Sequence, residues 1–318
     1  MSFIESLRGK LALPVIGAPM FIASDPDLVI AQCKAGIIGT MPSLSVRAEE
    51  DLGPALLRIR NELNEFQSAH PERPVAPYGV NIVVHQSNPR FEHDLDVCVQ
   101  HRVPLIITSL GAARAVADRV HSYGGHVLHD VINLKHARKA IAEGVDGIIA
   151  VCCGAGGHAG ALSPFALVRE LRQEYAGPLI LAGAVSDGAG ILAALAMGAD
   201  LAYMGTRFIA TAESPSRQEY KQMLLESAAD DIMYSNWLTG VYGNFLKPSF
   251  IKAGLDPHNL PPRHNSEVTV SSNKPKQWKD IWSAGQGVGV IKDVPTTAEL
   301  VSRIKDEFQA ARARLAAF

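Results

Sequence analysis

The stretch PLILAGAVSDGAGILAALAMGADLAYMGTRFI (178–209) decides how this chain folds. Two apolar runs, PLILAG (178–183) and LAYMGTRFI (201–209), flank Gly188–Gly198, a segment with helical spacing that ends on a glycine suited to leaving a helix. Each run is apolar at consecutive rather than alternate positions, which suits a strand covered on both faces; strand, helix and strand in that order make a parallel βαβ unit. The same rhythm recurs upstream. Strand candidates lie at 12–20, 36–43, 78–84, 103–110, 126–132 and 147–153, and helical spacing at Lys135–Gly144 and Pro164–Tyr175. Eight successive strands of this kind favour an α/β fold closed into a (β/α)8 TIM barrel over an open doubly wound sheet.

After Ala210 the alternation stops. Ser214 and Pro215 suit an N-cap and first helical position, so Pro215–Asp230 is expected to be helical. Gly254–Glu267, with three prolines, reads as a loop, and Val268–Lys279 is polar and rich in lysine. Residues 211–285 are therefore expected to form a mostly helical cap, inserted before the last helix, with the barrel comprising 1–210 and 286–318. Trp237, Tyr242 and Phe245 suit either a pocket wall or the cap's own core. In Thr296–Phe318, Leu300, Ile304, Phe308, Ala311 and Leu315 fall on one helical face, which should pack back on the barrel.

The 318 residues are 47% hydrophobic and 19% charged, with 27 Gly and 19 Pro, a composition that excludes disorder, collagen-like repeats and coiled coil. Thirty basic against 32 acidic residues leave a net charge of -2, so no basic field exists to attract nucleic acid or an anionic membrane. No secretion-type leader and no long uncharged apolar run occurs, and a cytoplasmic location is expected. Cys33, Cys98, Cys152 and Cys153 show no CxxC spacing or histidine pairing, so no metal site and no disulfide framework is expected.

Chemistry concentrates at the expected C-terminal ends of strands, where barrel active sites are built. Directly after the sixth strand, Cys152–Gly160 (CCGAGGHAG) places four glycines around His158. The glycines let backbone approach a flat ligand, and an imidazole can take a proton near neutral pH. After the seventh and eighth strands, Gly183 and Gly205 leave room for a phosphate, with Thr206 as a hydroxyl donor. At the first strand end stand Gly17, Ala18, Pro19 and Met20. Asn81, on the apolar third strand, needs hydrogen-bond partners that either a heteroaromatic edge or neighbouring backbone could supply.

Ala18–Met20 (APM), Gly79–Asn81 (GVN), Gly144–Asp146 (GVD), Ala155–Gly160 (AGGHAG), the GA-x-SDG turn, MGTRF, Leu238–Ser249 (LTGVYGNFLKPS) and Trp282–Gly289 (WSAGQGVG) together resemble the nitronate monooxygenase family, also called 2-nitropropane dioxygenases, over nearly the whole chain. The resemblance implies an FMN-binding barrel. By position, His158 matches the catalytic base. Pro19, Met20, Phe21, Asn81, Asp130 and Val151 match residues along the flavin ring, with Gly156 and Gly157 beside it. Gly183, Ala184, Met204, Gly205 and Thr206 match the phosphate side, and Ser283 and Gln286 a segment that returns to the flavin. It also implies oxidation of alkyl nitronates or nitroalkanes with O2 to carbonyl compounds and nitrite, and leaves a homodimer open. Val151 stands where a polar residue is common, and Ala184 where a second glycine is usual.

Two other chemistries fit the same scaffold. One is an NAD(P)H-dependent FMN reductase of the quinone or enoyl-acyl-carrier type; the other is a barrel that only binds a phosphorylated ligand. Cysteine nucleophiles after strand six occur in the related inosine monophosphate dehydrogenases, but Cys152 and Cys153 lack a Gly-Ser-x-Cys-Thr pattern and are expected to be buried, inert thiols.

Overall fold

The computed structural model describes residues 2–85, 87–109, 111, 113–260 and 280–317. Most of the cap stretch expected to be a polar, lysine-rich loop, 261–279, lies outside these residues. Eight parallel strands form the barrel: β1 (Val15–Gly17), β2 (Gly39–Pro42), β3 (Tyr78–Val83), β4 (Leu105–Ser109), β5 (His126–Val131), β6 (Gly147–Val151), β8 (Leu179–Ala182) and β9 (Leu201–Met204). Between β6 and β8 lies the two-residue β7 (Gly157–His158). The sheet runs β1-β9-β8-β6-β5-β4-β3-β2, and an Ile16–Ile38 bridge joins its two edges. All eight expected strand segments contain a strand, although Thr206–Ile209, placed at the end of the last one, is a short helix.

Alternation along each strand divides the core. Ile16, Ile38, Leu105, Ile107, Leu128, Ile149, Ile180 and Leu201 form one buried cluster inside the barrel, joined by Phe3 and Leu7 from the N-terminal segment. Their neighbours Ile148, Ala150, Leu179, Leu181, Ala202 and Met204 pack instead with helical residues such as Leu167, Leu171, Ile191 and Ala194. Strands buried on both faces are why these runs carry no polar alternation.

Helix Gly188–Met197 ends on Gly198 at φ +113, the left-handed conformation that glycine adopts without steric cost. Helix Thr297–Leu315, started by a Thr296–Glu299 capping box, packs on Gly188–Met197 and on Pro26–Lys34. It takes the place of a helix after β9. Leu300 and Ile304 are buried, but the expected apolar stripe ends early: Leu315 is exposed, because the last turns run beyond the surface they cover.

The cap region departs from expectation at two places. Its helix covers only Gln218–Glu226, with Arg217 rather than Ser214 before it. Ser214 is buried and donates to the Ala23 carbonyl at 3.0 Å, so tertiary packing takes the hydroxyl that a cap would have used. Besides this helix and Lys247–Lys252, the described residues of the region hold two strands, β10 (Ile232–Ser235) and β11 (Gly243–Leu246), which pair antiparallel with each other.

Candidate active site

A cavity of about 870 Å³ opens at the C-terminal ends of the barrel strands, a size suited to a cofactor with a substrate beside it. Its wall includes Pro19, Met20, Phe21, Asn81, Asp130 and Val151. From the loops come Gly156, Gly157, His158, Gly183, Ala184, Gly205, Thr206 and Ser283. Two expected residues do not line it. Met204 is fully buried in the helical layer, since its neighbour Tyr203 takes the inward position. Gln286 lies outside the wall, its backbone N–H donating to the Gly154 carbonyl at 2.9 Å.

His158 is held by the cap. β7 pairs antiparallel with β11, with Gly157 opposite Asn244 and His158 opposite Gly243, and the Ala159 N–H donates to the Tyr242 carbonyl at 3.1 Å. A Cβ on Gly243 would stand 2.6 Å from the Gly157 carbonyl oxygen, so only glycine allows this approach. Buried Asn244 donates to the Ala155 carbonyl at 2.7 Å and fixes the start of the loop. His158 Nε2 lies 3.1 Å from Thr239 Oγ1, and that hydroxyl donates to the Val241 carbonyl at 2.8 Å. With its proton committed, Oγ1 accepts from Nε2–H, which assigns the basic lone pair to Nδ1. Although the ring opens on the cavity, its enclosure by protein disfavours the charged form and lowers its pKa from 6.5, so the imidazole is neutral at neutral pH.

Thr239 lies in LTGVYGNFLKPS, yet its role depends on a turn whose geometry no spacing rule reveals. Replacing it with valine is expected to release the ring's tautomer, with serine restoring it. Imidazole nitrogen chemical shifts of the two variants check this.

Asn81 donates through Nδ2 to the Ile107 carbonyl at 3.1 Å and to Ser109 Oγ at 3.4 Å. Both amide protons are spent on β4, and Oδ1 is left to accept from a ligand N–H. On the opposite side, Thr206 Oγ1 accepts from the Gly285 N–H at 2.8 Å and keeps its own proton for an anion. The expected phosphate turn is altered. Ala184 sits at φ +54, a conformation favouring glycine, and its N–H points to the Gly154 carbonyl at 3.3 Å. The N-terminus of helix Gly188–Met197 is already served by two carboxylates, with Asp187 accepting from Gly190 N–H at 2.7 Å and Glu307 from Gly188 N–H at 3.0 Å. An anion therefore has Gly205, Thr206 and the Gly183 turn to meet, rather than that helix dipole.

Trp237, Tyr242 and Phe245 are absent from the wall. Phe245 is a core residue with Phe250 and Ile281, Trp237 packs against that cluster, and Tyr242 stacks on Tyr234 at 5.0 Å. The aromatic wall comes instead from Phe21, Tyr203, Tyr220 and Trp282. Tyr220 stacks on Trp282 at 4.9 Å, and its hydroxyl donates to the Ser283 carbonyl. Of the two thiols expected to be buried, Cys152 is, and burial pushes it up to about 12, whereas Cys153, at the strand end, is only half-buried.

A family model described as nitronate monooxygenase matches residues 6–307. The chain belongs to the nitronate monooxygenase family. It is 27% identical to the nitronate monooxygenase of Paraburkholderia phytofirmans, over 93% of this chain and 92% of that one. In fold it is similar to a nitroalkane oxidase from Streptomyces ansochromogenes (TM-score 0.80, 23% identity, 98% of this chain and 99% of that one). It is equally similar to FabK from Thermotoga maritima (TM-score 0.79, 23% identity, 100% and 99%). Nitronate monooxygenase family membership makes the protein a flavin-dependent oxidoreductase, and relates it broadly to nitronate oxidation. Among the described residues, no helix is long and apolar enough to cross a membrane, and no group of three His, Cys, Asp or Glu side chains could hold a metal ion.

Proposed function

We propose that the protein binds FMN and oxidises alkyl nitronates, or nitroalkanes after deprotonation, with O2 to carbonyl compounds and nitrite. The observation that carries this reading is the imidazole of His158, held 3.1 Å from Thr239 Oγ1 on the wall of a cavity large enough for a flavin. The fit to FMN is supported by Asn81 Oδ1, by the buried carboxyl of Asp130, and by the space that Gly183 and Gly205 leave beside Thr206. When bound, FMN supplies the electron-accepting ring and the reaction with O2.

The chain's own part is proton transfer and enclosure. His158 Nδ1 takes the proton from the carbon bearing the nitro group; the C–H pair moves onto the nitro group, and an imidazolium faces the resulting nitronate. The enclosure that lowers the ring's pKa opposes its charging, and the attraction of the nitronate formed beside it, little screened by water, offsets that cost. Val151, Ile132 and Met20 contribute to the wall. The cavity thus has room for a small nitroalkane or its nitronate beside the flavin, with O2 as the second substrate.

Anaerobic mixing tests the assignment against the reductase alternative. The purified yellow protein should lose its flavin band on addition of an alkyl nitronate or propionate 3-nitronate, and keep it with NADH or NADPH. Bleaching by the nicotinamide alone would move the protein to the reductases.

A further inference from the structure

Among the described residues, Asp130 is the one acidic group that a barrel strand brings to the cavity wall, and the proton-transfer scheme above leaves it unused. It lies on β5, in register with Ile149 of β6, and its Oδ1 is sealed from solvent with no hydrogen-bond partner. Burial is the sole cause acting on its acidity, raising its pKa from 3.8 to about 7, with no neighbouring cation to oppose it. Tyr203, enclosed on β9, is pushed up first by burial and then by Asp130. Ionisation here would leave Oδ1 with neither water nor a counter-charge, which favours the neutral acid. A neutral carboxylic acid instead offers one O–H donor. Asn81, two barrel strands away on β3, has the opposite need, with only Oδ1 left to use.

We propose that Asp130 serves the flavin site as a neutral carboxylic acid, donating a hydrogen bond to an acceptor atom of the bound ring while Asn81 Oδ1 accepts from a ring N–H. This rests on the FMN reading of the cavity. A paired donor and acceptor recognise an edge that alternates carbonyl and N–H groups, as the flavin's imide-bearing ring does. Ionisation of Asp130 removes the donor and sets a negative charge against carbonyl oxygens. Cofactor affinity should therefore fall as pH rises above about 7, by up to tenfold per pH unit while one proton is taken up on binding.

Other ionisable side chains also line the cavity: His158 on β7, Tyr203 on β9, His129 beside Asp130 on β5, His136, Lys139 and Glu143 on the helix that follows and its end, and Tyr220 from the region beyond the barrel. Comparison with Asp130→Asn separates them, since the amide keeps the shape and an N–H donor but does not ionise. The test is FMN titration of the flavin-free full chain between pH 6.5 and 9, a range in which the FMN phosphate is already largely dianionic. The wild-type Kd should rise at least tenfold, and that of Asp130→Asn should stay within about twofold. Parallel rises in the two proteins would overturn the role of Asp130. Absence of FMN binding by both, at every pH, would instead overturn the cofactor reading itself. An infrared difference spectrum of the wild-type holoprotein gives a check free of any variant: a carboxylic-acid C=O band should persist at neutral pH in the bound state, and its absence there sinks the proposal.

Discussion

Replacing His158 with alanine should slow turnover of a neutral nitroalkane by roughly 10²–10⁴-fold, the contribution of a positioned general base. Pre-formed nitronate, which needs no proton removed, should lose less than tenfold, and the flavin spectrum should persist because the ring is not what holds the cofactor side of the cavity together. Parallel oxygen-uptake assays on the two substrate forms separate these losses. The pH dependence has a definite sign. Burial lowers the His158 pKa from 6.5, so the competent neutral form accumulates as pH rises through a value below 6.5, and nitroalkane turnover should rise and level off at a lower pH than an ordinary imidazole would give. Equal losses on both substrates would mean that His158 orients the nitronate and does not abstract the proton.

The second large effect is on stability, and it is read on the FMN-free chain. Asp130 is raised from 3.8 to about 7 by burial, so between those values the folded chain holds a proton that the unfolded chain has released. Folding is then favoured at low pH; this contribution is lost as pH climbs from about 4 to about 7, and nothing further is lost above. A carboxyl that holds its proton about a thousandfold more tightly in the folded chain contributes at most about 4 kcal/mol. Asp130→Asn has no ionisation to suppress. It should therefore gain on wild type between pH 5 and pH 8 by roughly 2–3 kcal/mol, read from urea midpoints at the two values. A gap that does not change with pH would show that the wild-type carboxyl ionises freely in the folded chain.

Most of the barrel is legible in the sequence because strands buried on both faces leave continuous apolar runs, and helices such as Gly188–Met197 end on a recognisable glycine. The cap strands are not. Ile232–Ser235 and Gly243–Leu246 are four residues each, and their pairing is decided by partners elsewhere in the chain. The MGTRF motif puts Met204 on the cavity, whereas the period of two along β9 turns Tyr203 inward and Met204 out. Asp187 has the spacing of a helix cap, and a carboxylate there already weakens the case for a phosphate at the same helix end. The glycines around His158 single out the correct loop, but Thr239 and Asn244 act on it across more than eighty positions, a relationship that only the folded chain displays.

The ladder between β7 and β11 makes the imidazole and the cap strand one inheritable piece. A chimera that imports a relative's cap to change substrate choice, while keeping the host's Gly157–His158, would join strands that were never matched. Gly157 and His158 would then face whatever residue the donor carries in place of Gly243. Exchange of substrate preference within this architecture should therefore travel in two-part cassettes, the Ala155–Ala159 loop together with Thr239–Leu246, and fail when either half moves alone.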